Sequence, residues 1–591
     1  MLVKASAMSS AEFATFHPVV SGFRLHGLQW ACIALLASTA TAISAQTPAR
    51  AHNTITHRVT QGDTLEQLAR RYLGDASLWT ALQSHNHIPS PYRLQPGSAL
   101  EIPLRFMRAA TASVDYVQGN VRLNRSGTAA ALNQGVPLQE GDQIQLDPDA
   151  FVSVRLADGS TVRVQASSKV QLSQLRRRGR AGSLQSVLDV QQGAVEVQVP
   201  GKPDAHRRLD VITPVAAASV RGTVFDVQLT EDGKATTSVL QGRVAVQSLA
   251  NAASTASAAL LQKNMGIAVT ADGEIGNPTR LLPAASATEL PTLSQDAQWL
   301  NLSMPAWPQA QGWRVSVSSD AQGAHVLRNG QFQGALARFA AIPDGNYYLH
   351  ARAIDTQGIS GLPSTTQLRV KAHPVAPLIQ VPAPDGVLAQ GEAQLRCTVV
   401  NGATSYRHQV IAASQEPAGI TSASFEHPLI QHESTDQCQL DLQHLPVGQY
   451  AWRAASVRLV DGQVDQGPFS AVHHFRIASR PAPPLLNDIQ VQSQGDAVTI
   501  HWKAEPGQHF RLQAFNTPDS NHPSIDTLLD TPQWTATGLP SGTWYIRIQA
   551  QDASGLESAF SPPRSVQVLP LVRDSYGAPV HTGTGLGLEH I

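Results

Sequence analysis

One pattern recurs three times in the second half of the chain. It is a Pro-x-Gly turn, then an alternating run with an aromatic residue, then an Asp- or Gly-containing turn and a last strand. The turns are Pro343-Asp344-Gly345, Pro446-Val447-Gly448 and Pro540-Ser541-Gly542. Their glycines stand 103 (345 to 448) and 94 (448 to 542) residues apart. A period near a hundred residues is a whole domain, well above the roughly 20–50 residues of a solenoid turn. Upstream, Trp313, Tyr406 and Phe510 begin comparable strands. The first and third copies share the fuller motif. The middle copy departs after the Arg453 strand and carries two cysteines. A chain of 591 residues has room for about three to six domains, so these copies are part of a longer string.

Composition narrows the partners. Lys+Arg 43 against Asp+Glu 44 leaves a net charge of −1, so no global field draws the chain to nucleic acid, an anionic membrane or acidic substrates. Hydrophobic residues at 42% suffice for packed cores, and aromatics at 5% make each ring a candidate core anchor. Three cysteines exclude a disulfide scaffold and a multi-cysteine metal protein.

The N-terminus reads as an address. Arg24 and His26 precede the apolar run Leu28–Ala37, and small residues follow to Ala45. This is the pattern of a secretory signal peptide over residues 1–45, with cleavage after Ala42 or Ala45, the alternative being an uncleaved anchor. No later stretch approaches about 18 apolar residues, so no membrane span is expected in the mature chain. With Cys32 in the leader, Cys397 and Cys438 remain. In an oxidising compartment they pair as one disulfide, or stay as two buried thiols.

Residues 57–103, after a linker over 46–56, predict strand, helix, helix, strand. Asp63 or Thr64 can cap the first helix. Leu65, Leu68, Ala69 and Tyr72 share one helical face, and Gly74 ends it. The string Val59-Thr60-Gln61-Gly62-Asp63-Thr64-Leu65, with Asn86-His87-Ile88-Pro89 and Gln95-Pro96-Gly97 downstream, resembles a LysM domain. The resemblance implies binding of N-acetylglucosamine glycans, in bacteria chiefly peptidoglycan, in a shallow groove. Carried onto this sequence, its walls are Gly62, Asp63, Thr64 and Leu65 facing Asn86, His87, Ile88 and Pro89. Gly62-Asp63-Thr64 also serves as a turn and helix cap. A single copy binds weakly, because avidity comes from linked modules.

Residues 113–275 read as short strands with glycine turns. Phe151–Leu156 alternates, turns at Asp158-Gly159 and returns over Thr161–Val164. Further runs stand at Val187–Val190, Ala194–Val199, Thr223–Leu229 and Ser238–Val246. An all-β sheet or solenoid-like sandwich is expected. Thr213-Pro214-Val215, continuing through Val220-Arg221-Gly222-Thr223-Val224-Phe225, resembles the FecR-type periplasmic domain. In its best-known setting that domain relays a signal to a sigma factor, which calls for a cytoplasmic region and a membrane span before it; the sequence shows neither pattern. Arg221 and Gly222 read as structural. Arg176-Arg177-Arg178-Gly179-Arg180 lacks interleaved aromatics, and a solvated loop is expected there rather than a nucleic-acid contact.

The three copies, over 280–371, 375–478 and 482–570, resemble fibronectin type III-like β-sandwiches. Pro-rich Ala372–Pro384 and Arg480–Pro484 suit short stiff linkers, and 571–591 reads as a flexible tail. Its Gly583-Thr584-Gly585 run has no strand before it or helix after it, against a dinucleotide site. His432-Glu433 lacks the second histidine of a zinc protease, and His85 and His87, one residue apart, make no metal site. The expected fold is therefore mainly β and multidomain: a small βααβ LysM module, a FecR-like β-sheet domain, then three β-sandwich domains. The expected function is non-enzymatic: an exported protein of the periplasm or cell envelope that binds peptidoglycan and presents surfaces to an envelope protein partner, without cofactor or metal. An envelope signalling regulator and a cell-wall hydrolase are the alternatives.

Overall fold

The computed structural model describes residues 54–92, 94–178, 183–200, 208–220, 222–249, 258–413, 422–485, 490–494, 497–518 and 522–568, with 572, 574–576 and 580. The expected leader over 1–45, Gly179, Arg180, Arg221 and the Gly583 run lie outside them. No helix among the described residues is long and apolar enough to cross a membrane.

The first module is β1 (Thr54–Arg58), α1 (Leu65–Leu73), α2 (Trp79–His85) and β2 (Ala99–Pro103), with β1 antiparallel to β2. Apolar spacing along α1 places Leu65, Leu68, Ala69 and Leu73 on one face, and all four are buried with Leu82, Leu100 and Ile102. Gly74 ends α1 at φ 77°, a conformation that suits glycine.

The second region pairs strands from Arg108–Ala109 to Thr279–Arg280 in a closed circuit. Val187–Val190 and Ala194–Val199 were expected as two strands. They lie on one, Ser183–Gln198, whose first half pairs with Lys169–Arg178 and Arg208–Ile212 and whose second half pairs with Thr161–Val164 and Val224–Leu229. Gly193 sits where the strand passes from one sheet to the other. Its φ is 78°, and a Cβ there would stand 2.7 Å from the Ser168 Cα, so a side chain does not fit. The first three residues of the expected arginine loop, Arg176, Arg177 and Arg178, also lie in a strand, Lys169–Arg178. Arg176 and Arg177 pair with Ala109 and Arg108, and Arg176 binds Glu140 and the Met107 carbonyl (3.2 Å). Tertiary pairing outweighs a local charge run.

Three sandwiches follow, each with a wide and a narrow sheet. In the first, Leu293–Ser294, Ser364–Val370, Gly345–Asp355, Ala310–Ser318 and Val326–Gln333 face Trp299–Ser303 and Leu336–Ala340. The second adds a hairpin strand, Gln463–Phe469, to its wide sheet, and the third sets four strands against three. The cores are separate, around Trp313, Trp452 and Trp502 with Trp544. The Pro-x-Gly repeat has a physical reason: Tyr347 and Tyr450 donate their hydroxyls to the carbonyls of Pro343 and Pro446, both at 2.9 Å, and Trp544 Nε1 donates to Pro540 at 3.0 Å. Each aromatic thus ties its strand to the turn that launches it. The stretch Ala372–Pro384 is more than a linker, since Ile379–Val381 forms a strand of the second sandwich.

Candidate functional site

The first candidate site is the pair of loops at the ends of the module's helices. Thr64 caps α1, its hydroxyl accepting from the Gln67 N–H at 3.1 Å. Asp63 does something else. One of its oxygens accepts from Thr60 N–H (2.7 Å), Thr60 Oγ1 (2.9 Å) and His57 Nε2 (2.8 Å), while His57 Nδ1 meets the Tyr72 hydroxyl at 3.0 Å. The His57 bond, with those of Thr60, holds the Asp63 carboxyl well below its usual range, at about 2. This chain fixes the turn at Gly62, which is exposed with φ 95°. His57, Thr60 and Tyr72 were not expected in the site. No local spacing announced them, since His57 stands six residues before Asp63 and Tyr72 nine after it.

The second loop is held as firmly. The Asn86 amide donates to the carbonyls of Leu82 (2.9 Å) and Glu101 (2.6 Å), and its oxygen accepts the Glu101 N–H (2.7 Å). It staples the end of α2 to β2. His87 follows at φ 50°, exposed, with Ile88 half-buried on the module's core and Pro89 exposed. Of the eight residues expected to line the groove, Leu65 sends its side chain into the core, with 2% of the residue exposed. The side chains of Asp63, Thr64 and Asn86 are engaged in holding the loops. Gly62, His87, Ile88 and Pro89 leave surface for a ligand. Tyr92, three residues past Pro89, is 95% exposed.

A second feature lies where the closed β domain meets the first sandwich. Asp226, 2% exposed, receives Arg314 Nη1 at 2.8 Å, and Arg314 Nη2 donates to Gln228 at 2.6 Å. Arg352 is 6% exposed and donates to Gly361 O (2.8 Å) and Ser238 Oγ (3.0 Å), with Glu196 3.8 Å and Asp226 3.9 Å away. Burial pulls the Arg352 pKa down, and the nearby Asp226 carboxylate opposes that fall. Cys397 and Cys438 stand together in the second sandwich, Cα atoms 5.1 Å apart, a separation that suits a disulfide. His432 and Glu433 lie on an outer strand, where Glu433 bonds Ser405 at 2.5 Å and Arg407 at 3.3 Å. No cluster of three metal-ligating side chains occurs among the described residues.

Two family models match the chain. Residues 57–103 match the LysM domain and residues 142–245 match the FecR protein family. The chain carries a LysM domain followed by a FecR domain. Both are non-catalytic kinds of module, and both are typical of cell-envelope proteins. Among curated proteins nothing matches. Among solved structures, the FN1–FN3 domains of chicken CNTN1 align with 49% of this chain and 98% of their own, at 14% identity and TM-score 0.22. A candidate anti-sigma factor from Parabacteroides distasonis aligns with 23% of this chain and 59% of its own, at 23% identity and TM-score 0.19.

Proposed function

We propose that this is an exported cell-envelope protein that binds peptidoglycan through its LysM module and presents β domains to envelope partners. Its modules are 57–103, 113–275, 280–371, 375–478 and 482–570. The observation that carries the reading is the LysM match over residues 57–103, in a module whose two candidate loops are held by their own side chains. A loop held before binding loses little entropy on binding. Gly62, His87, Ile88 and Pro89 supply backbone groups and small apolar contact for an acetamido sugar.

Retention on purified peptidoglycan tests this directly. The full chain should sediment with the polymer, and deletion of 57–103 should release it. Equal retention after deletion would remove the LysM role. The FecR match over residues 142–245 favours a second reading, regulation of an envelope signal. A topology reporter separates the two, because a cytoplasmic N-terminus fits a signalling protein and an exported one fits wall binding.

A further inference from the structure

The seam between the closed β domain and the first sandwich opens into a cleft of about 1190 Å³. Single small molecules occupy sites of roughly 300–1,000 Å³, so this one suits an oligomer. Its walls are fixed in advance. Gln228 Nε2 donates to Gln331 across the seam at 2.9 Å, while Gln228 Oε1 accepts from Arg314. Asn329 reaches back from the sandwich, accepting the Ala166 N–H at 2.8 Å and donating to the Ala150 carbonyl at 3.0 Å. The buried ion network of Asp226, Arg314 and Arg352 lies behind this wall.

The charges of the cleft cancel: Asp149, Glu231 and Asp232 face Arg314, Arg328 and Arg338. Two of the guanidinium groups are already engaged. Arg314 is held by Asp226 and Gln228, and Arg328 by the carbonyls of Leu327 (2.8 Å), Ala340 (3.1 Å) and Ala341 (3.1 Å). Nothing is left over to attract a polyanion. What the cleft offers instead is side-chain amide, from Gln165, Gln192, Gln333 and the Nε2 of Gln331, whose oxygen is taken by Gln228. An amide presents a donor and an acceptor side by side, which is what a sugar hydroxyl requires.

We propose that this cleft binds a neutral oligosaccharide, at a site separate from the LysM module and independent of what that module binds. The rival occupant is an extended peptide, because Val326–Gln333 is the edge strand of its sheet. The amide-rich, charge-balanced lining favours the sugar.

Hydrogen–deuterium exchange on the full chain decides between them, with chitotetraose, cellotetraose and tetra-alanine as probes. A tetrasaccharide should slow exchange in segments 190–194 and 327–334, whatever it does at 60–65 and 86–89. The double variant Gln192→Ala and Gln333→Ala changes two exposed side chains and should weaken that protection about tenfold, the scale of two lost hydrogen bonds. Protection by either sugar confined to 60–65 and 86–89, or no protection by either sugar at millimolar concentration, overturns the proposal. Protection of the cleft by tetra-alanine and by neither sugar overturns it as well, and assigns a peptide.

Discussion

Asp63 gathers three donors on one oxygen, so its loop depends on its charge. Asp63→Ala should cost the LysM module about 1–3 kcal/mol, because Thr60 and His57 lose an acceptor. Exchange protection over residues 59–65 would fall while the sandwiches stayed unchanged. The pH dependence has a definite sign. The folded-state pKa of Asp63 is depressed, to about 2, so its contribution is fully present above the unfolded value of about 3.9 and is lost as pH falls through about 2. His408 in the second sandwich acts in another window. It is fully buried, stacked on Trp452 with ring centroids 6.1 Å apart, and paired with Ser434 Oγ at 2.9 Å. Burial, with His432 beside it, lowers its pKa to about 4. The unfolded chain binds this proton below about 6.5 and the folded chain does not, so stability should fall as pH drops from about 6.5 towards 4. At about 1.4 kcal/mol per pKa unit the loss is on the order of 3 kcal/mol. His408→Gln should flatten the acid limb of a melting-temperature profile for this sandwich; an unchanged slope would exclude His408 as its source.

At the scale of elements, the second sandwich departs from its neighbours. Cys397 ends the strand Gln394–Cys397, and its N–H donates to the Cys438 carbonyl at 2.9 Å beside the strand Gln439–Asp441. The two cysteines are 41 residues apart in sequence. A disulfide closing a loop of that size contributes about 2–4 kcal/mol. Intact-mass measurement of exported protein should show a two-hydrogen gain on reduction, and reduced protein should melt earlier in this sandwich. The aromatic-to-turn bonds of Tyr347, Tyr450 and Trp544 explain why the aromatic stands two residues after the turn glycine in all three copies. The turn and the ring are joined by one hydrogen bond only a few residues long, so their spacing cannot vary.

Over the whole molecule, the closed β domain and the first sandwich share a buried charge network. Removing Asp226 strips Arg314 of its carboxylate and leaves the buried Arg352 only Glu196, at 3.8 Å, and breaking a buried pair typically costs about 3–5 kcal/mol. Asp226→Ala should therefore loosen this joint, visible as new tryptic cleavage at the exposed Arg280 and as a lower first transition in calorimetry. Unchanged cleavage and melting would mean that the network does not hold the two domains. The next joint is built differently: Lys371 lies between Asp344 of the first sandwich, at 2.9 Å, and Asp465 of the second, at 2.7 Å. That bridge lies nearer the surface, and salt should weaken it more readily.

The sequence by itself determined whatever depends on residues near one another along the chain. The cap at Thr64, the left-handed stop at Gly74, the strand–helix–helix–strand order and the Pro-x-Gly period all follow from local geometry and short spacings. Long-range pairing decided the rest. It merged two expected strands into Ser183–Gln198 and turned the Arg176 run into a paired strand. It also drew Ile379–Val381 out of an apparent linker. The candidate sites divide in the same way. The two LysM loops were legible as motifs, but the commitment of Asp63 to His57 and of Asn86 to Glu101 was not. Nor was the cleft beside Gln228 and Gln331, whose walls come from segments about a hundred residues apart. A hydrogen bond between distant segments leaves no periodic trace in the chain, so only the folded backbone, by bringing those segments together, decides that it forms.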